Sequence, residues 1–163
     1  MTLTPRGLVT APFSQPATVF LVGVQCRSWR SAWKLPFIGK RMGNMQEELR
    51  ADPESGLLWG ANFVQFRPFT TLFLSYWKSP DHIHRFVESS RFSHQGASAE
   101  YFRRWGKDPH IGVWHETYEV HPGQEENLYF GMAPFGSSAF NDVISVGAAN
   151  RRFMGRLKRA PEK

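Results

Sequence analysis

The alternation of hydrophobic and polar residues predicts four main strands. Residues Ala17–Cys26 are apolar on both alternating faces, which is typical of a strand that is covered on both sides. Leu57–Phe66 and Phe69–Trp77 are rich in β-forming residues and are separated by only two residues, so they predict an antiparallel hairpin. A fourth strand is predicted over residues 111–121, where β-formers alternate with side chains that can move protons.

The helical pattern lies between these strands. An apolar stripe with spacings of four, three and four predicts a first helix of about a dozen residues; it consists of Ile38, Met42, Met45 and Leu49. Trp29 and Trp33 also have helical spacing, but Pro36 is expected to interrupt the pattern after them.

Two shorter helices are predicted before the fourth strand. Ser79 followed by Pro80 is typical of a helix start, with serine as the N-cap and proline in the first turn. Ser93 can cap the next helix, in which Tyr101 and Trp105 lie four residues apart on one face.

This order of elements predicts an α+β domain over residues 17–136. Strand, helix, strand, strand, helix pair and strand is the ferredoxin-like βαββαβ order, an antiparallel sheet with helices on one face. Residues 1–16 are expected to form a loose extended arm, and residues 137–163 a solvated basic tail. Because the second sheet face is also apolar, we expect two copies to pair across a two-fold axis. The result would be a homodimeric α/β barrel with a cavity between the two sheets.

Composition adds an aromatic-lined interior to this fold. Six Trp, fourteen Phe and four Tyr in 163 residues exceed what a small core needs and favour a cavity for an aromatic or other apolar ligand. The single cysteine, Cys26, excludes an intramolecular disulfide and indicates a cytoplasmic protein. The net charge of +6 is concentrated in residues 27–41 and 151–159, which is not the pattern of a nucleic-acid footprint. No apolar run is long enough to cross a bilayer, so no membrane partner is expected.

The strand over residues 111–121 contains the densest candidate chemistry. Alternation places Trp114, Glu116 and Tyr118 on one face, and His115 and Thr117 on the other. His115 and Glu116 therefore cannot act as a dyad. Which face lines the pocket is left open by the sequence.

His94 is the other candidate for acid–base chemistry. It lies near the same helical face as Tyr101 and Trp105, and an imidazole titrates close to neutral pH. The alternative is a structural histidine that satisfies a backbone group at the helix start. His82 and His84 flank one residue on a helix and diverge, so no metal site is predicted.

Three blocks of sequence resemble one known family. The chain is similar to monooxygenase-like proteins related to a fumagillin-pathway monooxygenase and, more distantly, to phenylacetaldoxime dehydratases. The blocks are Asp-Pro-Glu-Ser-Gly-Leu-Leu from residue 52, Tyr-Trp-Lys-Ser from residue 76, and Gly-Val-Trp-His-Glu-Thr-Tyr from residue 112 with Met-Ala-Pro-Phe-Gly from residue 132. The resemblance departs in the last block, where relatives have Met-Pro-x-Phe-Gly-Leu.

The resemblance implies a dimeric α/β barrel whose cavity serves cofactor-independent oxygenases, isomerases and cyclases, and also haem enzymes. We therefore expect a cofactor-independent monooxygenase-like enzyme of secondary metabolism that acts on an aromatic or polyketide-like compound. A haem enzyme with His94 or His115 as axial ligand and a non-catalytic binding protein are the alternatives. The expected catalytic residues are His94, His115, Glu116 and Tyr118. The expected substrate-binding residues are Trp59, Asn62, Ser75, Trp77, Tyr101, Trp105 and Trp114.

Overall fold

A computed structural model describes residues 7–148 and 150–157 of the chain. Seven strands and four α-helices occur in this part. The strands are β1 Leu8–Thr10, β2 Ala17–Cys26, β3 Leu57–Phe66, β4 Phe69–Trp77, β5 Ile111–Val120, β6 Tyr129–Phe130 and β7 Ile144–Ser145. The helices are α1 Leu35–Ala51, α2 Pro80–Glu88, α3 His94–Trp105 and α4 Phe153–Arg156, and 3₁₀ helices cover Trp29–Lys34 and Gly136–Ala139.

The main sheet has four antiparallel strands in the order β3-β4-β2-β5. The central strand β2 pairs with both neighbours along its full length: Thr18 lies opposite Trp77 and Glu119, and Cys26 lies opposite Phe69 and Ile111. This order, with α1 between β2 and β3 and the pair α2–α3 between β4 and β5, confirms the ferredoxin-like α+β fold.

Helices α1, α2 and α3 cover one face of this sheet. Two buried clusters join helices to sheet, and their members are Val24, Cys26, Ile38, Trp105 and Ile111 in the first, and Leu49, Trp77, Ile83 and Phe86 in the second. The first cluster lies at the Cys26 end of the sheet and the second at the Trp77 end. Between them the layers separate enough to leave a cavity.

Helix α1 is longer than the apolar stripe predicted. It begins at Leu35, and Pro36 lies in its first turn, where a missing backbone N–H costs no intrahelical bond. The expectation that Pro36 interrupts the helical segment is therefore wrong. The preceding 3₁₀ helix leaves Trp29 and Trp33 in solvent, 82% and 70% exposed.

A second small sheet is formed by β1, β6 and β7, and it includes Leu8–Thr10 of the expected arm and Ile144–Ser145 of the expected tail. The side chain of Asn127 secures the arm: its Oδ1 accepts from the Ala11 N–H at 2.7 Å, and its Nδ2 donates to the Ala11 carbonyl at 2.9 Å. Strands β1 and β7 have only three and two residues, which is too short for a hydrophobic period to be recognised. Residues 1–6 and 158–163, including the end of the basic run, lie outside the described residues.

Gly56, at the turn before β3, should tolerate no side chain. Its φ of +78° is left-handed, and an added Cβ would collide with the imidazole of His82. We expect Gly56→Ala to lower the free energy of unfolding by at least about 1–2 kcal/mol in urea titrations. Gly39→Ala is the matched control: Gly39 lies inside α1 with open space around it, so alanine there should stabilise by about 0.5–1 kcal/mol. Equal effects at both positions would contradict this account.

Candidate active-site cavity

A cavity of about 450 Å³ lies between the main sheet and helices α1–α3. Its walls are mostly aliphatic and aromatic. The sheet contributes Phe20, Val22, Val24, Phe73, Trp77, Val113, His115 and Thr117; the helices contribute Phe37, Ile38, Arg41, Met42, Met45, Gln46, Leu49, Ile83, Phe86, Val87, His94, Ala97, Ser98, Tyr101, Phe102 and Trp105. This size and composition suit an apolar small molecule.

This cavity lies between the sheet and the helices of one chain, whereas the expected pocket between the sheets of two copies requires a partner and stays a prediction. The helix-covered face of β5 lines the observed cavity, through Val113, His115 and Thr117. The opposite sheet face is partly covered by the chain itself, because Phe13 and Phe140 pack on Tyr76 with ring centroids 6.2 and 5.3 Å away. The sequence showed that both faces were apolar but not which segments cover each face.

His94 begins α3 and lines the cavity beside Phe86, with the two ring centroids 5.1 Å apart. Its Nδ1 is buried and has no hydrogen-bond partner among the described residues. Burial lowers the pKa of His94 below its usual value of 6.5. Two smaller effects raise this pKa: hydrogen bonding to the Val87 backbone and the negative charge of Glu88. The imidazole is thus kept neutral near pH 7 and is able to accept a proton.

His115 reaches the same cavity from the sheet. It lies beside Phe20, at 5.9 Å between ring centroids, and shares its strand face with Thr117. Both residues lie on an edge strand and remain largely exposed, so they line the more open side of the cavity. Two imidazoles from different elements therefore face one apolar space.

Two of the expected substrate-binding residues are engaged in hydrogen bonds within the protein. Asn62 and Gln46 exchange two amide hydrogen bonds of 2.9 and 2.8 Å. Ser75 is fully buried: it donates to the Phe20 carbonyl at 3.0 Å and accepts from Trp77 Nε1 at 2.9 Å. Neither Asn62 nor Ser75 lines the cavity, whereas Trp77 does. The hydrogen bonds of Asn62 and Ser75 instead position Gln46 and Trp77, which line the cavity.

Four of the predicted site residues lie on the opposite face of the sheet. Tyr118 donates from its hydroxyl to Glu116 at 2.6 Å, and this bond raises the pKa of Tyr118. Trp59 packs on Phe135 with ring centroids 4.7 Å apart, and the Trp114 indole lies beside Gly23. Strand alternation separates these residues from His94 and His115.

Of the remaining predicted residues, Tyr101 and Trp105 line the cavity, as their four-residue spacing on α3 indicated. Burial raises the pKa of the Tyr101 hydroxyl, which keeps it protonated and able to donate. Arg41 and Gln46 were not predicted. Gln46 lies one position beyond Met45 on the buried stripe of α1, and Arg41 pairs with Glu100 at 2.7 Å. The sequence signal that could have indicated Arg41 and Gln46 was their position next to Met42 and Met45 of the apolar stripe.

Within residues 7–148 and 150–157, no group of three His, Cys, Asp or Glu side chains is placed to hold a metal ion. Over the same ranges, no helix has the length and apolar content needed to cross a membrane.

The lowered pKa of His94 predicts a pH dependence of stability. The unfolded chain binds a proton near pH 6.5 and the folded chain only at lower pH, so stability should fall as pH drops below about 6.5 and level off below the folded pKa. His94→Gln should reduce this loss, as measured by urea unfolding between pH 7 and 5. His82, whose pKa burial also lowers, is present in both proteins and cancels in the difference. Identical slopes for the two proteins would contradict the prediction.

A four-stranded antiparallel sheet with helices on one face and a cavity between the layers defines an α+β protein of the ferredoxin-like class. Residues 17–137 match the family model described as Monooxygenase af470-like, and the chain belongs to this family. The match confirms the resemblance seen in the sequence blocks. A search of curated proteins found no match.

Solved structures share the fold at low identity. An aldoxime dehydratase in complex with butyraldoxime is 17% identical with a TM-score of 0.65, over 93% of this chain and 42% of that chain. A second aldoxime dehydratase is 13% identical with a TM-score of 0.59, over 92% and 42%. A candidate antibiotic biosynthesis monooxygenase from Deinococcus radiodurans is 15% identical with a TM-score of 0.45, over 63% and 91%. The chain thus spans less than half the length of the aldoxime dehydratases.

Proposed function

We propose that this protein is a cofactor-independent monooxygenase-like enzyme that oxidises an aromatic or polyketide-like compound in the cavity. The single observation that supports this most directly is His94, which lines an apolar cavity of about 450 Å³ and whose buried Nδ1 has no hydrogen-bond partner among the described residues. A neutral imidazole in such surroundings is suited to general-base catalysis. Membership of the monooxygenase-like family supports the reaction class.

In the proposed reaction, His94 removes a proton from a carbon acid, such as a CH₂ group between aromatic rings. The resulting carbanion is electron-rich enough to react with dioxygen, and the CH₂ group becomes a carbonyl while the second oxygen atom leaves as water. His115, Thr117 and Ser98 are the polar cavity groups available to orient the substrate and return a proton. Glu116 and Tyr118 have no role inside this cavity because they lie on the other sheet face.

The proposal includes a cytoplasmic homodimer that acts in secondary metabolism. The single cysteine supports the compartment. The part of the second sheet face left open near Phe63 and Tyr118, which are 39% and 52% exposed, supports a partner copy. Light scattering of the purified protein measures the assembly directly.

The experiment uses anthrone and related aromatic carbon acids as probes. We expect oxygen uptake above the buffer rate, with one O₂ consumed for each carbonyl product and with no added metal or cofactor. Mass spectrometry of ligand extracted from the purified protein identifies the natural class. Recovery of an unchanged apolar ligand, together with no turnover of any probe, would contradict an enzyme and support a binding protein.

A haem enzyme is the second candidate, favoured by the fold similarity to the aldoxime dehydratases at a TM-score of 0.65. The donor set fits the group: His94 offers an imidazole nitrogen within apolar walls and would be the residue that holds the iron. When bound, haem would supply a Lewis-acidic iron. Absorption spectra after expression with added haem separate the two candidates. A Soret band supports the haem enzyme, and its absence supports the cofactor-independent enzyme.

A further inference from the structure

One end of the domain combines positive charge with exposed aromatic side chains. We define the basic–aromatic end as residues 27–41, the β3–β4 turn at residues 66–69, and residues 102–110 between α3 and β5. Register brings these segments together, because Cys26 lies opposite both Phe69 and Ile111. Residues 27–41 contain five Lys or Arg and no acid.

Four large aromatic side chains at this end are mostly in solvent. Trp29, Trp33, Phe66 and Phe102 are 82%, 70%, 79% and 62% exposed. A side chain of this size usually packs somewhere in a folded domain, and several such side chains at one end mark an interaction surface. The Arg30 guanidinium lies among them, 5.9 Å from the Trp29 ring, whereas the Lys34 ammonium, 5.7 Å from the Trp33 ring, is paired with Asp108.

Hydrogen bonds tie the short helix of this surface to the rest of the domain. Asp108 accepts hydrogen bonds from the Ser31 hydroxyl at 3.0 Å, from the Lys34 ammonium, and from the His110 N–H at 2.8 Å. The Lys34 bond, followed by that of His110, lowers the pKa of Asp108 to about 2. The short helix that presents Trp29 and Trp33 is thereby tied to the segment between α3 and β5.

We infer that the basic–aromatic end docks onto the surface of an anionic phospholipid bilayer. This replaces the expectation of no membrane partner, which rested only on the lack of an apolar run long enough to cross a bilayer. Tryptophan and phenylalanine prefer the headgroup region, and Lys and Arg around them are attracted to anionic lipids. The aromatic residues project from a short helix, a hairpin tip and a second helix, which suits insertion between lipids. Single-stranded nucleic acid is instead bound by an aromatic platform or a basic groove.

The cavity extends toward this same end. Phe37, at the start of α1, lines the cavity and lies under the guanidinium groups of Arg41 and Arg104, at 5.4 and 5.1 Å. Phe102 lines the cavity and is also exposed. An apolar compound dissolved in a bilayer would therefore meet the cavity close to the docked surface. The docking itself does not depend on which reaction the cavity supports.

Vesicle sedimentation tests the inference without any activity assay. Vesicles of phosphatidylcholine with about one third phosphatidylserine should bind the full chain, vesicles of pure phosphatidylcholine should bind it far less, and added salt should weaken binding. The paired change Trp29→Ser with Trp33→Ser should lower partitioning at least about tenfold, and Arg30→Gln and Arg67→Gln about fivefold each. Tryptophan fluorescence should shift to the blue on binding in the wild type and less in the Trp pair.

The matched controls lie away from this end. Phe130→Ser changes a side chain on β6 that is 68% exposed, and Arg152→Gln changes an exposed arginine. Both variants should bind vesicles like the wild type. Circular dichroism confirms that each variant is folded. No binding to anionic vesicles, equal binding to neutral ones, or equal losses in the controls would overturn the inference. So would binding of a single-stranded oligonucleotide in place of vesicles.

Discussion

Replacing His94 with alanine is expected to lower kcat for the proposed oxidation by about 10²–10⁴-fold, the usual contribution of a general base. The residue is the one cavity histidine with a buried nitrogen that lacks a partner among the described residues, whereas His115, the second cavity histidine, lies on an edge strand and is exposed. The rate of oxygen consumption with a substrate from the probe panel gives the measurement.

The pH profile distinguishes a base from a purely structural histidine. Because burial lowers the pKa of His94, kcat/KM of the wild type should persist below pH 6.5 and decline only as the imidazole becomes protonated. His121→Ala, at an exposed position just after β5, is the control and should keep the wild-type rate. A folded His94→Ala protein with an unchanged rate and profile would remove His94 from the mechanism.

The Trp77→Ala change should produce the largest loss of stability, about 3–5 kcal/mol in the free energy of unfolding. Trp77 is 1% exposed, packs on Phe86 with ring centroids 5.9 Å apart, and donates from Nε1 to Ser75. Its loss would leave a void beside the cavity and a buried hydroxyl with one fewer partner. Chemical denaturation at neutral pH measures the difference.

Trp29→Ala provides the matched comparison, because the same side chain is removed from a position that is 82% exposed. We expect a change within about 0.5 kcal/mol there. Trp77→Phe should lie between the two, since it keeps most of the packing but loses the hydrogen bond to Ser75. Similar losses for Trp29→Ala and Trp77→Ala would show that burial does not determine the stability of this core.

Much of the fold followed from hydrophobic periodicity. Strand β2 was predicted with the bounds that the structure has, and α3 begins directly after the predicted cap at Ser93. Long periodic segments give such agreement because a single pairing or packing arrangement buries all their apolar residues. Pro36 was misjudged because a proline in a first turn and a proline that ends a helix look alike in sequence.

The cavity was predictable in its residue types but not in its location. Alternation on β5 separated His115 from Glu116, yet both faces of the sheet carry apolar residues, so local pattern could not assign the helices to one of them. The coverage of the second face depends on Phe13 and Phe140, which come from segments without periodicity. Long-range contacts of this kind leave no local signal.

The small sheet formed by β1, β6 and β7 and the basic–aromatic end lie at opposite ends of the main sheet. Phe13 follows β1 and packs on Tyr76, while the basic–aromatic end starts where β2 finishes at Cys26. Tyr76 lies opposite Val19, seven residues before Cys26, which is about 23 Å along the strand. The small sheet thus lies in the region remote from Trp29 and Trp33. A fluorophore attached at Leu8, which is 42% exposed on β1, would therefore report on this domain without covering its basic–aromatic end.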